Sequence, residues 1–104
     1  MSEERAPIAC CLGPEEFEER RGQWQALVAS SVESLEVEPT TLRLALEGSD
    51  GALVRAAELG RLEKACCPFF DISIDLGAET RTLTVRVPEG AEEVLDAFVA
   101  MLRA

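Results

Sequence analysis

Histidine and tyrosine are absent from this chain, and lysine occurs only at Lys64. Without histidine the chain lacks the side chain that most often acts as a general base near neutral pH, and also the commonest nitrogen ligand of zinc. Acid–base catalysis would have to depend on carboxylates, on Lys64 or on thiols. No combination of these residues predicts a catalytic site, so we favour a function other than that of an enzyme.

Long apolar runs are also absent. No segment approaches the roughly 18 consecutive apolar residues that a membrane span requires. The chain opens with Met-Ser-Glu-Glu-Arg, which lacks the apolar stretch of a signal peptide. We therefore expect no membrane partner and a cytoplasmic location, where thiols stay reduced.

Basic residues are scarce, with 10 lysines and arginines against 20 acidic residues and a formal net charge of -10. A field of this sign repels phosphate backbones, so we expect no nucleic-acid partner. A chain of 104 residues with 47% hydrophobic residues can form one domain with a modest core. We predict a single domain over residues 1–104, with residues 1–9 as a flexible arm.

Apolar periodicity divides the chain into three helices and four strands. Pro14 suits the first position of a helix, and Pro68 disfavours helical continuation beyond Cys66. The predicted helices cover about residues 14–30, 52–66 and 90–103, and the predicted strands about 32–38, 41–47, 69–76 and 81–87.

The order of these elements is α-ββ-α-ββ-α. Leu42, Leu44 and Leu46 alternate cleanly with other residues, which is typical of a strand that is buried on one face. We therefore predict an α+β fold with a four-stranded antiparallel sheet and the helices on one face. The other face would carry polar residues such as Glu36 and Arg43, either in solvent or against a second copy of the chain in a homodimer.

Particular residues are expected to shape the core. Trp24 lies on the apolar side of the first helix and is expected to anchor the core. In the second helix the predicted apolar stripe consists of Leu53, Val54, Ala57, Leu62, Ala65 and Cys66. Gly60 weakens that helix and is expected to mark close packing against another element. Ser49 or Asp50 is expected to cap its start.

The four cysteines form two adjacent pairs, Cys10-Cys11 and Cys66-Cys67. Adjacent thiols can hold a soft ion such as Hg(II), As(III) or Cu(I). They suit tetrahedral zinc less well, because wider spacings let the chain wrap around that ion. Cys10, Cys66 and Cys67 are the candidate metal ligands, with Cys11 as a weaker fourth.

The local charges disfavour reactive thiolates. Cys66 and Cys67 end a helix, where the dipole is negative, and only Arg61 and Lys64 are basic residues close by in sequence. This argues against a nucleophilic enzyme more strongly than against a metal site. Two alternatives stay open: structural cysteines, with Cys66 in the core and Cys67 partly exposed, or a thiol redox sensor that forms a disulfide.

Two segments, Ile8–Arg20 followed by Trp24, and Leu62–Asp71, resemble a family of small, mostly uncharacterised bacterial proteins. The family pattern is an I-A-C-x-L opening, a helix with an arginine and then a tryptophan, and an E-x-x-C-C-P-F block before an alternating strand. Some members accompany mercury-resistance-type regulators, so the resemblance implies a response to heavy metals.

The resemblance also implies site residues: Cys10, Cys66 and Cys67 as family cysteines, with Glu63 and Trp24 as companions. Cys11 falls where the family has another residue, which favours three thiolates, a set compatible with Hg(II) or As(III). We therefore predict a protein that binds a soft metal or metalloid ion, Hg(II), As(III), Cu(I) or Zn(II). The alternatives are a homodimeric interaction module with structural cysteines and a thiol redox sensor.

Overall fold

A computed structural model describes residues 14–103 of the chain, and of Pro14 only the backbone. The predicted order of elements is confirmed. Its elements are α1 (Pro14–Ser31), β1 (Val32–Glu38), β2 (Thr41–Leu46), α2 (Asp50–Cys66), β3 (Asp71–Leu76), β4 (Arg81–Arg86) and α3 (Glu92–Arg103). The flexible arm predicted for residues 1–9 lies outside the described residues.

The four strands form one antiparallel sheet in the order β1-β2-β4-β3. Each hairpin contributes one central strand and one edge strand, and Leu44 of β2 lies between Leu35 of β1 and Leu83 of β4. Leu44 and Leu83 are fully buried beneath the helices. The predicted α+β fold, with a four-stranded sheet covered by helices on one face, is therefore confirmed.

The other face of the sheet is polar, as predicted. One row across the strands reads Glu36, Arg43, Thr84 and Ser73. Arg43 Nη1 lies 3.3 Å from the carboxylate of Glu38 on the edge strand β1. Charged side chains on an edge strand discourage further strand pairing. The predicted association of a second copy with this polar face, in a homodimer, stays a prediction.

The predicted apolar stripe of α2 is only partly correct. Cys66 is buried and Leu53 and Leu62 are partly buried against the core, whereas Val54 is 65% exposed. The residues that α2 buries are Ala52, Ala56, Leu59, Gly60, Glu63 and Cys66. The prediction was wrong for Val54 because alanines mark no helix side by themselves and because a carboxylate, Glu63, lies within the buried stripe. The start of α2 was predicted correctly, since Ser49 Oγ accepts a hydrogen bond from Ala52 N–H at 3.1 Å.

Gly60 marks a close approach between α2 and the sheet. A Cβ atom at this position would lie 3.1 Å from Cγ2 of Ile72 in β3. Gly22, which is exposed in α1, would meet no other atom within 4 Å. Of these two helical glycines, only Gly60 has a packing reason.

The two glycines should therefore respond differently to alanine. Gly22→Ala is expected to stabilise the protein by about 0.8–1 kcal/mol, because alanine has the better helix propensity. Gly60→Ala should give no gain or a loss, since the new methyl group must displace Ile72. Thermal denaturation of both variants measures the difference. Equal stabilisation would show that Ile72 moves aside freely.

Helix α3 packs against α1 at the end of the chain. Gln25 Nε2 donates a hydrogen bond to the Met101 carbonyl at 2.9 Å, and the rings of Trp24 and Phe98 meet edge to face at 5.1 Å. The helix starts at Glu92, after a turn in which Gly90 has φ of +96°. Over residues 14–103, no helix has both the length and the apolar character needed to cross a membrane.

Candidate functional site

The Cys66-Cys67 pair lies where α2 ends, as Pro68 predicted. Cys66 is the last helical residue, and Cys67 is the C-cap, whose N–H donates to the Glu63 carbonyl at 2.8 Å. Phe70 N–H then donates back to the Cys67 carbonyl at 2.9 Å. This turn delays β3 to Asp71, two residues later than predicted, and it folds the chain over Cys67.

Both cysteines are buried. Cys66 is 6% exposed and Cys67 is 0% exposed. They belong to the core cluster that also contains Trp24, Phe70 and Phe98. The structural alternative expected Cys67 to be partly exposed, and this was wrong because the turn to Phe70 returns the chain to the core.

The two neighbouring sulfurs differ in chemical state. Cys66 is disulfide-bonded, whereas Cys67 keeps its thiol. A bond between the two neighbours is thereby excluded. The other predicted ligands, Cys10 and Cys11, lie outside the described residues. The sequence alone left thiol and disulfide open for each cysteine.

A buried polar cluster lies one helical turn before Cys66. Glu63 Oε2 accepts hydrogen bonds from Trp24 Nε1 and from Arg20 Nη1, each at 2.9 Å. The Glu63 and Arg20 side chains are only 3% and 12% exposed. A buried carboxylate is tolerated when charged and polar donors satisfy it, as these do. The cluster therefore joins α1 to the end of α2.

Sequence reasoning missed this contact. The family resemblance named Glu63 and Trp24 as companions of the cysteines but gave them no interaction. The sequence did contain a signal for Arg20, the third member of the cluster. Arg20 precedes Trp24 by four residues, and residues at this spacing share one side of a helix. That signal did not identify Glu63 as their common acceptor.

Helices α1 and α2 run antiparallel. Trp24 contacts Glu63, while Ser31 at the end of α1 accepts a hydrogen bond from Arg55 near the start of α2, at 2.6 Å. The first turns of α1 therefore lie alongside the end of α2.

The sequence suggested that Arg61 and Lys64 could stabilise cysteine thiolates, but both side chains bind other groups. Arg61 pairs with Glu58 at 2.6 Å on the surface. The hydrogen bond between them lowers the pKa of Glu58 and raises the pKa of Arg61. Lys64 Nζ donates to the carbonyls of Pro68 and Phe70, so it holds the turn. From the neighbouring helix α1, Arg20 pairs with Glu63, one helical turn before Cys66.

The described part of the chain contains no complete metal centre. Among residues 14–103, no group of three or more histidines, cysteines, aspartates or glutamates could hold a metal ion. Cys66 and Cys67 supply two sulfurs, and Glu63 is engaged by Arg20 and Trp24. The other two predicted ligands, Cys10 and Cys11, lie outside the described residues.

No family model, no curated protein and no solved structure matches this chain. The resemblance drawn from the cysteine motifs therefore stays a prediction. Function has to be inferred from the chemistry of the two neighbouring cysteines and of the side chains around them.

Proposed function

We propose that this protein binds a soft metal or metalloid ion through cysteine thiolates once Cys66 is reduced. The ligands are Cys66, Cys67 and Cys10, and the ion is Hg(II), As(III), Cu(I) or Zn(II). In this proposal the protein acts in the cytoplasm as a binding protein and carries out no chemical conversion.

The observation that carries the proposal is the disulfide at Cys66 beside the thiol of Cys67. The third proposed ligand, Cys10, lies outside the described residues. Sulfurs in a disulfide are about 2 Å apart. A third sulfur close to the pair at the end of α2 is the requirement for a three-thiolate site, and soft ions prefer such ligands.

The surroundings of the pair favour a soft ion over a hard one. Histidine is absent from the chain, and the nearest buried carboxylate, Glu63, already accepts two hydrogen bonds. The apolar neighbours Phe70 and Phe98 offer no oxygen ligand. Sulfur is therefore the ligand atom that the pair offers to a metal ion. Sulfur ligands suit Hg(II), As(III) and Cu(I) better than Mg(II) or Ca(II).

Binding should strengthen with rising pH. The ion binds thiolates, so each ligand must lose its proton. Proton release on binding is therefore part of the proposal.

The test is titration of the fully reduced, full-length protein with Hg(II), As(III), Cu(I) and Zn(II) at two pH values. We expect one ion per chain, with affinity that increases with pH. Cys66→Ser and Cys10→Ser should each lose at least about two orders of magnitude in affinity. Cys11→Ser is the matched control, and it should bind like the wild type.

Equal, weak binding by the wild type and Cys66→Ser would contradict the proposal. Circular dichroism of each variant separates lost binding from lost folding. With the metal function removed, the homodimeric interaction module with structural cysteines would remain, and light scattering of the same samples measures whether the chain is dimeric.

A further inference from the structure

We propose that a second copy of this chain pairs with the outer edge of β3, so that the sheets of the two copies join across a twofold axis at Ile74. This edge is distinct from the polar face of the sheet described above. Its pairing does not depend on metal binding.

Strand β3 is an edge strand of the sheet. Within residues 14–103 the strand order is β1-β2-β4-β3, so β4 pairs with one side of β3 and no described strand pairs with the other. In an antiparallel sheet, alternate residues of a strand direct their N–H and C=O groups to opposite sides. An unpaired edge of this kind is a template for another strand.

The hydrogen bonds at the end of the β3–β4 hairpin show which residues of β3 point outward. Gly77 N–H donates to the Thr80 carbonyl at 2.8 Å. This bond continues the register that places Asp75 opposite Thr82. Since residues two apart behave alike, the odd-numbered residues of β3 bond to β4. The backbone groups that point away from the sheet are therefore those of Ile72, Ile74 and Leu76.

The side chains of these outward residues are apolar and incompletely covered. Ile72 and Ile74 are half-buried, and Leu76 is 64% exposed. A groove between α2 and β3 runs along Ile72 and Ile74, and Ala57 and Gly60 line its α2 side. A strand added at this edge would remove apolar surface from water as well as satisfy backbone groups.

The opposite edge of the sheet, β1, is protected against pairing. This strand contains Glu33, Glu36 and Glu38, and its register with β2 shifts between Val32 and Ser34. Charged side chains and bulges both discourage another strand from adding to an edge. By contrast, β3 keeps one register with β4 over all of its six residues. Of the two edges, β3 is therefore the one suited to pairing.

The apolar residues of β3 are complementary to themselves in one register. A twofold axis perpendicular to the sheet makes the two β3 strands antiparallel and keeps the helices of both copies on one side. With Ile74 opposite Ile74 of the second copy, Ile72 lies opposite Leu76. Every outward N–H and C=O of these residues then has a partner. A register centred on Ile72 would leave Leu76 in solvent.

Charge selects the same register. With Ile74 on the axis, Asp75 lies opposite Ser73 of the second copy, and Asp71 lies opposite Gly77. A register centred on Ser73 would instead place Asp71 opposite Asp75, and like charges directly opposite each other are destabilising. The complementarity is thus between two identical strands, which is why the partner is a second copy of the chain.

The test is the mass of the full-length protein, measured by light scattering and sedimentation over a concentration series without added metal. We expect a reversible dimer that forms as concentration rises. Leu76→Lys places a charge opposite Ile72 and should weaken association at least about tenfold. Val54→Lys is the matched control, because Val54 is 65% exposed on α2 and should associate like the wild type when replaced.

A lysine at Ser73 tests the register. Ser73 is exposed and faces Asp75 of the second copy when Ile74 lies on the axis. Ser73→Lys should therefore form opposite-charge pairs between the strands and strengthen association at least about twofold. In the register centred on Ser73, the same lysine would face its own copy and weaken association.

A monomer at every concentration would overturn the pairing, and so would a dimer that denaturing electrophoresis without reductant shows to be held by a disulfide. Equal association of Leu76→Lys and Val54→Lys would overturn the assignment to the β3 edge. Weaker association of Ser73→Lys would overturn the register centred on Ile74. Circular dichroism checks the folding of each variant. If Leu76→Lys fails to fold, Ser73→Lys still decides between stronger pairing at this edge and none.

Discussion

Replacement of Trp24 by alanine is expected to reduce the free energy of unfolding by about 4–6 kcal/mol. Trp24 is fully buried, and its ring meets Phe98 edge to face at 5.1 Å. Truncation leaves a cavity between α1 and α3 and removes one of the two donors to the buried Glu63 carboxylate. Domains of this size are commonly stable by only about 5–15 kcal/mol, so much of the total would be lost.

Urea denaturation followed by circular dichroism measures this loss, with the oxidation state of Cys66 kept the same for all variants. Trp24→Phe is the matched control. It retains most of the apolar ring but removes the N–H donor, so it should lose about 2 kcal/mol. If Trp24→Ala were no less stable than Trp24→Phe, the ring would not be the core anchor that its burial indicates.

The second large effect is expected at Glu63. Glu63→Ala should reduce the free energy of unfolding by about 3 kcal/mol or more, because Arg20 and Trp24 Nε1 then lose their common acceptor in a buried place. The partial exposure of Arg20, at 12%, lets water reach its guanidinium and keeps the loss near the lower end of the range for broken buried pairs.

Glu58 is the matched control for Glu63, since it lies on the same helix and also pairs with an arginine. Glu58 and Arg61 are both well exposed, and exposed ion pairs contribute little to stability. Glu58→Ala should therefore unfold at the same urea concentration as the wild type. Glu63→Gln, which can still accept from Trp24, should fall between the wild type and Glu63→Ala in the same denaturation series. A Glu63→Ala protein as stable as Glu58→Ala would contradict the structural role of the cluster.

These expectations connect stability with the thiol chemistry. Glu63 is held by α1 and lies one turn before Cys66, and its carbonyl accepts from the Cys67 N–H. A variant that loosens this turn should expose Cys67. For that reason, alkylation of Cys67 in folded Glu63→Ala is a useful companion to the denaturation series.

Much of the fold could be predicted from local pattern. The clean alternation of Leu42, Leu44 and Leu46 is satisfied only by a strand with one buried face, and Pro68 ends a helix wherever the chain packs. Both signals lie within a few residues of the structure that they predict. The element order and the position of the cysteine pair were therefore readable from the sequence.

The predictions that were wrong involve residues whose environment comes from distant parts of the chain. Glu63 is 39 residues from Trp24 and 43 from Arg20 in sequence. A carboxylate by itself indicates an exposed helix side, so α2 was oriented with Val54 inward. Only the tertiary contact with two donors from α1 makes its burial favourable.

The same division applies to the Cys66-Cys67 pair. The sequence by itself determined that two adjacent cysteines end α2 at a proline, and it led us to expect soft-metal or redox chemistry in a chain without histidine. Only the tertiary structure decided that Cys67 is fully buried and that Cys66 carries the disulfide. The physical reason is that burial of the two cysteines depends on how α1 packs along α2 and on the turn to Phe70, which no local pattern encodes.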